Sequence, residues 1–66
     1  MACASVHIYF NGKLIRLYGG NRKDVRNMGL FYKNIDKEKL LQYHPKLVSE
    51  VKFGYNLIVE TKFNKN

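Results

Sequence analysis

The residues that could carry acid–base or nucleophilic chemistry are few and lie far apart along the chain. They comprise two histidines, one cysteine, two serines and five carboxylates. Such catalysis needs a nucleophile beside a base that a third group orients, and no spacing in the sequence indicates such a set. His7 faces Arg16 in the hairpin derived below, as in a nuclease-type pair, but exposed strand pairs of this kind are common. We therefore expect no enzymatic activity.

Metal and phosphate binding are also disfavoured by residue spacing. A structural zinc site takes four ligands, and the candidates here are Cys3, His7 and His44. On an extended strand, residues 3 and 7 lie about 13 Å apart, which is too far for one ion to bridge. Gly19-Gly20 precedes no Gly-Lys-Ser/Thr, so it predicts a turn and not a nucleotide-binding loop. We expect neither a metal nor a cofactor.

Charge gives the clearest indication of a partner. The 66 residues contain 12 Lys/Arg and five Asp/Glu, for a net charge of +7. Residues 1–33 hold six basic groups and one acid, whereas residues 34–66 hold six basic and four acidic groups. A basic first half favours an anionic partner, which could be nucleic acid, an acidic protein surface or anionic lipid, because opposite charge steers association. The alternative is a charge that serves only solubility.

We predict that two groups of residues bind this partner. One mixes aromatic rings with basic side chains, and the other is a cluster of basic side chains. The first is the outer face of a hairpin, where bases can stack on rings and cations can meet phosphate. It contains His7, Tyr9, Arg16 and Tyr18, beside Lys52, Ile58 and Lys62. The second is a basic segment that contains Arg22, Lys23 and Arg26, with Lys33 as a further candidate. The tyrosines could instead anchor a protein partner or only pair across the strands.

The first group depends on a hairpin that turns at Asn11-Gly12, between strands 5–10 and 13–18. Asn-Gly accepts the two positive φ angles of a type I′ turn. A two-residue loop then pairs residues whose numbers sum to 23, from Phe10 with Lys13 to Ser5 with Tyr18. In this register one face carries the apolar residues Val6, Ile8, Phe10, Ile15 and Leu17.

The middle of the chain predicts one helix, and the residues before that helix allow more than one secondary structure. Residues 21–29 fit a short helix with Asn21 as N-cap and Gly29 just beyond its end, or a basic loop. Residues 30–33 fit a short edge strand or a packed connector. Asp36 then caps a helix that runs to Tyr43 and ends before Pro45, because proline lacks the backbone donor.

The last third predicts a second hairpin, with Gly54–Asn56 as a three-residue loop. This loop places four apolar or small pairs on one face, namely Phe53 with Leu57, Val51 with Val59, Ser49 with Thr61, and Leu47 with Phe63. A rival interpretation is one long helix that continues to Val51 with a kink at Pro45. Its apolar positions keep helical spacing and are Leu40, Leu41, His44, Leu47, Val48 and Val51.

These elements predict a single small α+β domain over residues 1–66, in the order ββ-α-ββ, with one helix on the apolar face of an antiparallel sheet. The first ten residues lack the features of a signal peptide, and no apolar run spans a membrane, so we expect a cytoplasmic protein (host cytoplasm if virus-encoded). The expected function is non-enzymatic binding of nucleic acid, with single strands favoured. The alternative is a virus- or plasmid-type regulatory or inhibitory protein that binds an acidic surface of a larger host protein. Strands 5–10 and 57–63 are candidate sheet edges for a homodimer.

Overall fold

The alternating segment near the start of the chain forms strand β1 (Cys3–Phe10), the central strand of the sheet. Ala4, Val6, Ile8 and Phe10 are buried on one face, whereas the residues between them are partly exposed. Successive side chains of a strand point to opposite faces, so one face of β1 belongs entirely to the core.

The computed structural model describes residues 3–64 as an α+β domain with three antiparallel strands and two α-helices. After β1 come β2 (Lys13–Gly20), α1 (Arg22–Lys33), α2 (Lys37–Tyr43), two 3₁₀ turns (Pro45–Leu47 and Val51–Phe53) and β3 (Leu57–Asn64). The strand order in the sheet is β2-β1-β3. Within the described range, neither helix is long and apolar enough to cross a lipid bilayer.

The hairpin between β1 and β2 turns at Asn11-Gly12, which confirms the predicted turn. Both residues have positive φ, 49° and 84°, as a type I′ turn requires. Asn11 also joins this turn to the residue before β3. Its Oδ1 accepts a hydrogen bond from the backbone N–H of Asn56 at 2.9 Å, and its own N–H donates to the Asn56 carbonyl at 2.9 Å.

The predicted register of this hairpin is wrong beyond Tyr9. Tyr9 pairs with Leu14, but Ile8 pairs with Arg16, so Ile15 is an extra residue that forms a β-bulge. The bulge lets Ile15 and Tyr18 both pack against the core, which an uninterrupted strand with a period of two could not do. Arg16 and Tyr18 consequently point to the helix-covered side of the sheet.

Residues 22–33 form helix α1, which confirms the helical alternative for the basic segment. The Asn21 side chain caps it as predicted, because its Oδ1 accepts a hydrogen bond from the Asp24 N–H at 2.8 Å. The helix continues through Gly29 to Lys33, so the predicted end at Gly29 and the possible strand at 30–33 are wrong. Gly29 is buried against the sheet, which accounts for a small residue within the helix.

Helix α2 confirms the predicted cap, since the Asp36 Oδ1 accepts a hydrogen bond from the Lys39 N–H at 2.8 Å. It ends at Tyr43, and the rival long helix to Val51 is therefore wrong. Pro45 instead begins the first 3₁₀ turn. Leu47 and Val51 are buried in the core from these two 3₁₀ turns and not from a strand.

The second hairpin is also wrong, because residues 47–53 form no strand and β3 pairs with β1 instead. In that pairing Val59 lies opposite Ile8 and Leu57 lies opposite Phe10, so β3 pairs with the buried apolar residues of the central strand. The order is ββ-αα-β and not ββ-α-ββ. Because β1 is the central strand, the sheet edges are β2 and β3. Of the two predicted edge strands, 57–63 lies at an edge and 5–10 does not.

Gly29 allows a test of how α1 lies on the sheet. A methyl group there would stand 3.7 Å from a Val59 methyl and 3.9 Å from a Val6 methyl, at ordinary contact distance. Alanine is also about 0.8–1 kcal/mol more favourable than glycine within a helix. Gly29→Ala should therefore raise the free energy of unfolding in urea by about 1 kcal/mol. Gly12→Ala is the contrasting control and should lower it, because φ is 84° there. A loss of stability in Gly29→Ala would contradict this packing.

Candidate functional site

The predicted binding residues lie on several separate surfaces, because the bulge divides the hairpin face. His7 and Tyr9 remain on the face of the sheet away from the helices, which we call the open face. Lys62 lies there as well, since it pairs with Ser5. Lys52 belongs to the second 3₁₀ turn and is exposed outside the sheet.

The open face is more apolar than its sequence pattern predicts. Leu14 and Leu17 lie there in place of Arg16 and Tyr18, and they are 45% and 56% exposed. Ile58 lies opposite Tyr9 on the neighbouring strand. The rings of His7 and Tyr9 are stacked with centroids 6.3 Å apart, and the buried His7 Nδ1 has no hydrogen-bond partner in the described part of the chain.

Arg22, Arg26 and Lys33 lie on one side of α1, and we call this surface the α1 flank. Positions 22, 26 and 33 recur at helical spacing and therefore share a side. This side faces β3, because the Arg22 guanidinium carbon lies 5.3 Å from the centroid of the Phe63 ring. Lys23 is exposed on the same helix but, by its spacing from Val25, points away from the sheet.

Arg16 and Tyr18 line a groove on the helix-covered side of the sheet. Helix α1 packs mainly over β1 and β3, so this side of β2 is left open. The hollow there has a volume of about 550 Å³, and a second hollow of about 410 Å³ shares Tyr43 and His44 with it. Together they form what we call the β2 groove. Its rings are Tyr18, Phe31, Tyr32 and Tyr43, and its cations are Lys13, Arg16 and Lys46.

The rings of the β2 groove are held in fixed relative orientations. Phe31 meets Tyr32 and Tyr43 edge-on, with centroids 5.3 Å apart in both pairs, a favourable geometry for aromatic rings. The Arg16 guanidinium carbon lies 6.0 Å from the centroid of the Tyr18 ring, within the range of a cation–π contact. Tyr43 is 58% exposed and can therefore offer its surface to a planar ligand.

A hydrogen bond of 2.7 Å joins the Tyr32 hydroxyl to His44 Nε2 at the inner wall of the groove. Burial and the positive charge of Arg16 both lower the pKa of His44. Burial raises the pKa of Tyr32, an effect that Arg16 opposes and Tyr43 reinforces. Both groups are therefore uncharged at neutral pH. In that state the hydrogen bond joins a neutral hydroxyl to a neutral imidazole, and the tautomer of His44 decides which of the two donates.

The sequence interpretation missed four members of this site, namely Phe31, Tyr32, Tyr43 and His44. A signal for them exists, because Phe31 and Tyr32 are adjacent in the last turn of α1, and Tyr43 at the end of α2 is adjacent to its C-cap His44. Adjacent rings at two helix ends do not indicate a common site by themselves. They meet only in the tertiary structure, where Tyr32 contacts His44 and Phe31 contacts Tyr43.

No protein-family model, curated protein or solved structure matches this chain. Its function must therefore be inferred from the chemistry of the β2 groove, the open face and the α1 flank. In residues 3–64, no cluster of three His, Cys, Asp or Glu side chains could hold a metal ion.

The Tyr32–His44 contact predicts a pH dependence of stability. Because the pKa of His44 is lowered in the folded chain, the unfolded chain binds more protons between that pKa and the ordinary value of 6.5. The free energy of unfolding should therefore fall as the pH is lowered from about 7.5 to 5.5. His44→Gln should flatten this part of the profile, measured by urea denaturation at each pH.

His7→Gln is the matched control for this prediction, since it removes the other histidine and leaves the contact with Tyr32 intact. It should keep the pH dependence of the parent chain. A profile that His44→Gln leaves unchanged would show that His44 is not the titrating group.

Proposed function

We propose that this chain is a non-enzymatic protein that binds single-stranded nucleic acid in the β2 groove. The observation that carries this proposal is the groove itself, in which Tyr43 and Phe31 present ring surface within the same hollow as Arg16. Proteins that bind single strands combine a positively charged groove with rings on which successive bases stack. The β2 groove has both features on one continuous surface.

The charges of the groove suit a phosphate backbone. Lys13 and Arg16 lie opposite Phe10 and Ile8, so the bulge leaves them only about 7 Å apart along β2, and Lys46 lines the second hollow together with Lys13. Asp24 is the one carboxylate among the residues that line the two hollows. A strand of phosphates laid along β2 would therefore meet cations at intervals and little opposing charge.

The dimensions of the first hollow suit one unstacked base with its sugar. Its volume of about 550 Å³ falls within the range of about 300–1,000 Å³ that is usual for small-ligand pockets. A base in this hollow would lie beside the rings of Phe31 and Tyr43, with Arg16 within reach of its phosphate. Bases in a duplex are already stacked on their neighbours, so this hollow favours single strands.

The Tyr32–His44 pair supports binding and not catalysis. The Tyr32 side chain is 5% exposed, and its hydroxyl is already engaged by His44. Because burial raises the pKa of this hydroxyl, it stays protonated and is a poor nucleophile. We assign the pair a structural role, in which it holds the chain after α2 against α1 and shapes the inner wall of the groove.

A second candidate function is docking on an acidic surface of a larger protein, and the α1 flank favours it. Arg22, Arg26 and Lys33 are exposed side by side, and Leu30 next to them is 51% exposed. Basic side chains around an exposed apolar residue are a combination found at protein interfaces. This surface lies on the opposite side of α1 from the β2 groove, so variants can separate the two functions.

Fluorescence anisotropy with a labelled single-stranded oligonucleotide, over a series of salt concentrations, tests the proposal. Tyr43→Ala should weaken binding by about 1–3 kcal/mol through lost stacking, with the salt dependence unchanged. Arg16→Ala should instead reduce the slope of log K against log salt by roughly 0.7 for each lost phosphate contact. Circular dichroism should show that both variants fold.

Tyr9→Ala and Lys62→Ala are matched controls, because they remove the same kinds of side chain from the open face. They should change neither the affinity for the oligonucleotide nor the slope of log K against log salt. If these variants weaken binding and the groove variants do not, the site lies on the open face and the groove proposal is wrong. An absence of oligonucleotide binding at low salt would also refute it and leave the α1 flank as the candidate surface.

A further inference from the structure

The outer side of β3 is a sheet edge with no hydrogen-bonded neighbour strand in residues 3–64. Strand β3 pairs with β1 on its inner side and is the last strand in the order β2-β1-β3. Its eight residues, Leu57–Asn64, contain no proline or glycine that would prevent further pairing. Edges of this kind pair readily with another strand.

A second copy of the chain can pair with this edge around a two-fold axis perpendicular to the sheet. Such an axis keeps the helices of both copies on the same side of the joined sheet. Directly opposite residues of an antiparallel pair point to the same face, so their numbers must both be odd or both be even. The axis therefore passes beside one residue of β3, and each choice of that residue gives a different set of pairs.

With the axis at Thr61, every pair near the centre is complementary. Glu60 lies opposite Lys62 of the second copy on the open face, and this ion pair occurs twice. Val59 lies opposite Phe63 on the helix-covered face, also twice, and the two threonines face each other. Phe63 is 39% exposed in the single chain, and this pairing would cover part of it. Opposite charges, apolar pairs and Thr–Thr pairs all stabilise neighbouring strands.

The neighbouring registers are much poorer. An axis at Glu60 places two carboxylates opposite each other, and an axis at Lys62 does the same with two ammonium groups. An axis at Val59 places Ile58 opposite Glu60. Like charges directly opposite one another destabilise a strand pair, so the register is specified by the sequence of β3 alone.

We propose that β3 is a self-complementary edge through which two copies of this chain form a homodimer centred on Thr61. The proposal does not depend on nucleic-acid binding, because the β2 groove lies along the opposite edge of the sheet. The six-stranded sheet that results has one β2 groove at each end. Backbone hydrogen bonds along residues 58–64 supply the affinity, and the Glu60–Lys62 pairs supply the register.

The α1 flank is the main opposing interaction. Arg22, Arg26 and Lys33 face the β3 side, so a dimer brings two copies of this basic surface towards each other on the helix-covered face. Their mutual repulsion weakens the dimer at low salt, where it is least screened. The Glu60–Lys62 pairs lie on the other face of the sheet and are separated from the flank by the strands themselves.

Charge-reversal variants test the register by sedimentation velocity over a range of micromolar concentrations. Glu60→Lys alone gives two Lys–Lys pairs across the axis, and Lys62→Glu alone gives two Glu–Glu pairs. Each variant should dimerise at least ~10-fold more weakly than the parent chain. An equimolar mixture of the two should dimerise as well as the parent, because every pair in the mixed dimer again joins opposite charges.

Glu50→Lys and Lys52→Glu are the matched controls, since they make the same changes of net charge at exposed positions outside the sheet. They should dimerise like the parent chain. Circular dichroism verifies that each variant folds. If a charge-reversal variant does not fold, the single variant Glu60→Gln or Lys62→Gln takes its place. Either glutamine variant should weaken the dimer by a smaller factor than charge reversal. The proposal is wrong if the parent chain stays monomeric at high micromolar concentration, or if the mixture associates no better than its components.

Discussion

The burial of β1 beneath the helices is the constraint on which the rest of this structure depends. Val6, Ile8 and Phe10 are fully buried, and each such side chain contributes about 1.5–3 kcal/mol by leaving water. That is a large fraction of the 5–15 kcal/mol or so by which a domain is stable. Strand β1 must therefore lie at the centre of the sheet with a strand on each side, and α1 must cover it. Gly29 of α1 packs over the place where β1 meets β3.

The same packing determines where a ligand can bind. Because α1 lies over β1 and β3, the helix-covered side of β2 remains open, and the rings at the ends of both helices surround it. The bulge at Ile15 then brings Arg16 and Tyr18 to this side. One edge of the sheet thus borders a cationic groove lined by rings, while the other edge exposes a strand with alternating complementary charges. The two edges can serve different partners without competing for the same residues.

Electrostatics and stability are linked at the inner wall of the groove. A net charge of +7 opposes compaction of so short a chain. Burial and the nearby charge of Arg16 lower the pKa of His44, so the imidazole stays neutral in its hydrogen bond with Tyr32 and adds no further cation there. The groove keeps Arg16 as a binding charge while the neighbouring histidine contributes a neutral contact between the helices. An anionic ligand would compensate the charge that the folded chain concentrates in the groove.

The sequence by itself determined the features that neighbouring residues control. The Asn11-Gly12 turn, the caps at Asn21 and Asp36, and the buried face of β1 all follow from local dihedral preferences, capping hydrogen bonds and a period of two. The tertiary structure alone decided the rest. Pairing of β3 with β1 joins residues about 50 positions apart, and no local pattern distinguishes it from the predicted second hairpin. The bulge at Ile15 arises because Ile15 and Tyr18 both reach the core, a preference that exists only once the helices are in place. After a bulge, packing and not periodicity sets the direction of a side chain, so Arg16 and Tyr18 face the groove. The other residues that line this wall of the groove are Phe31, Tyr32, Tyr43 and His44.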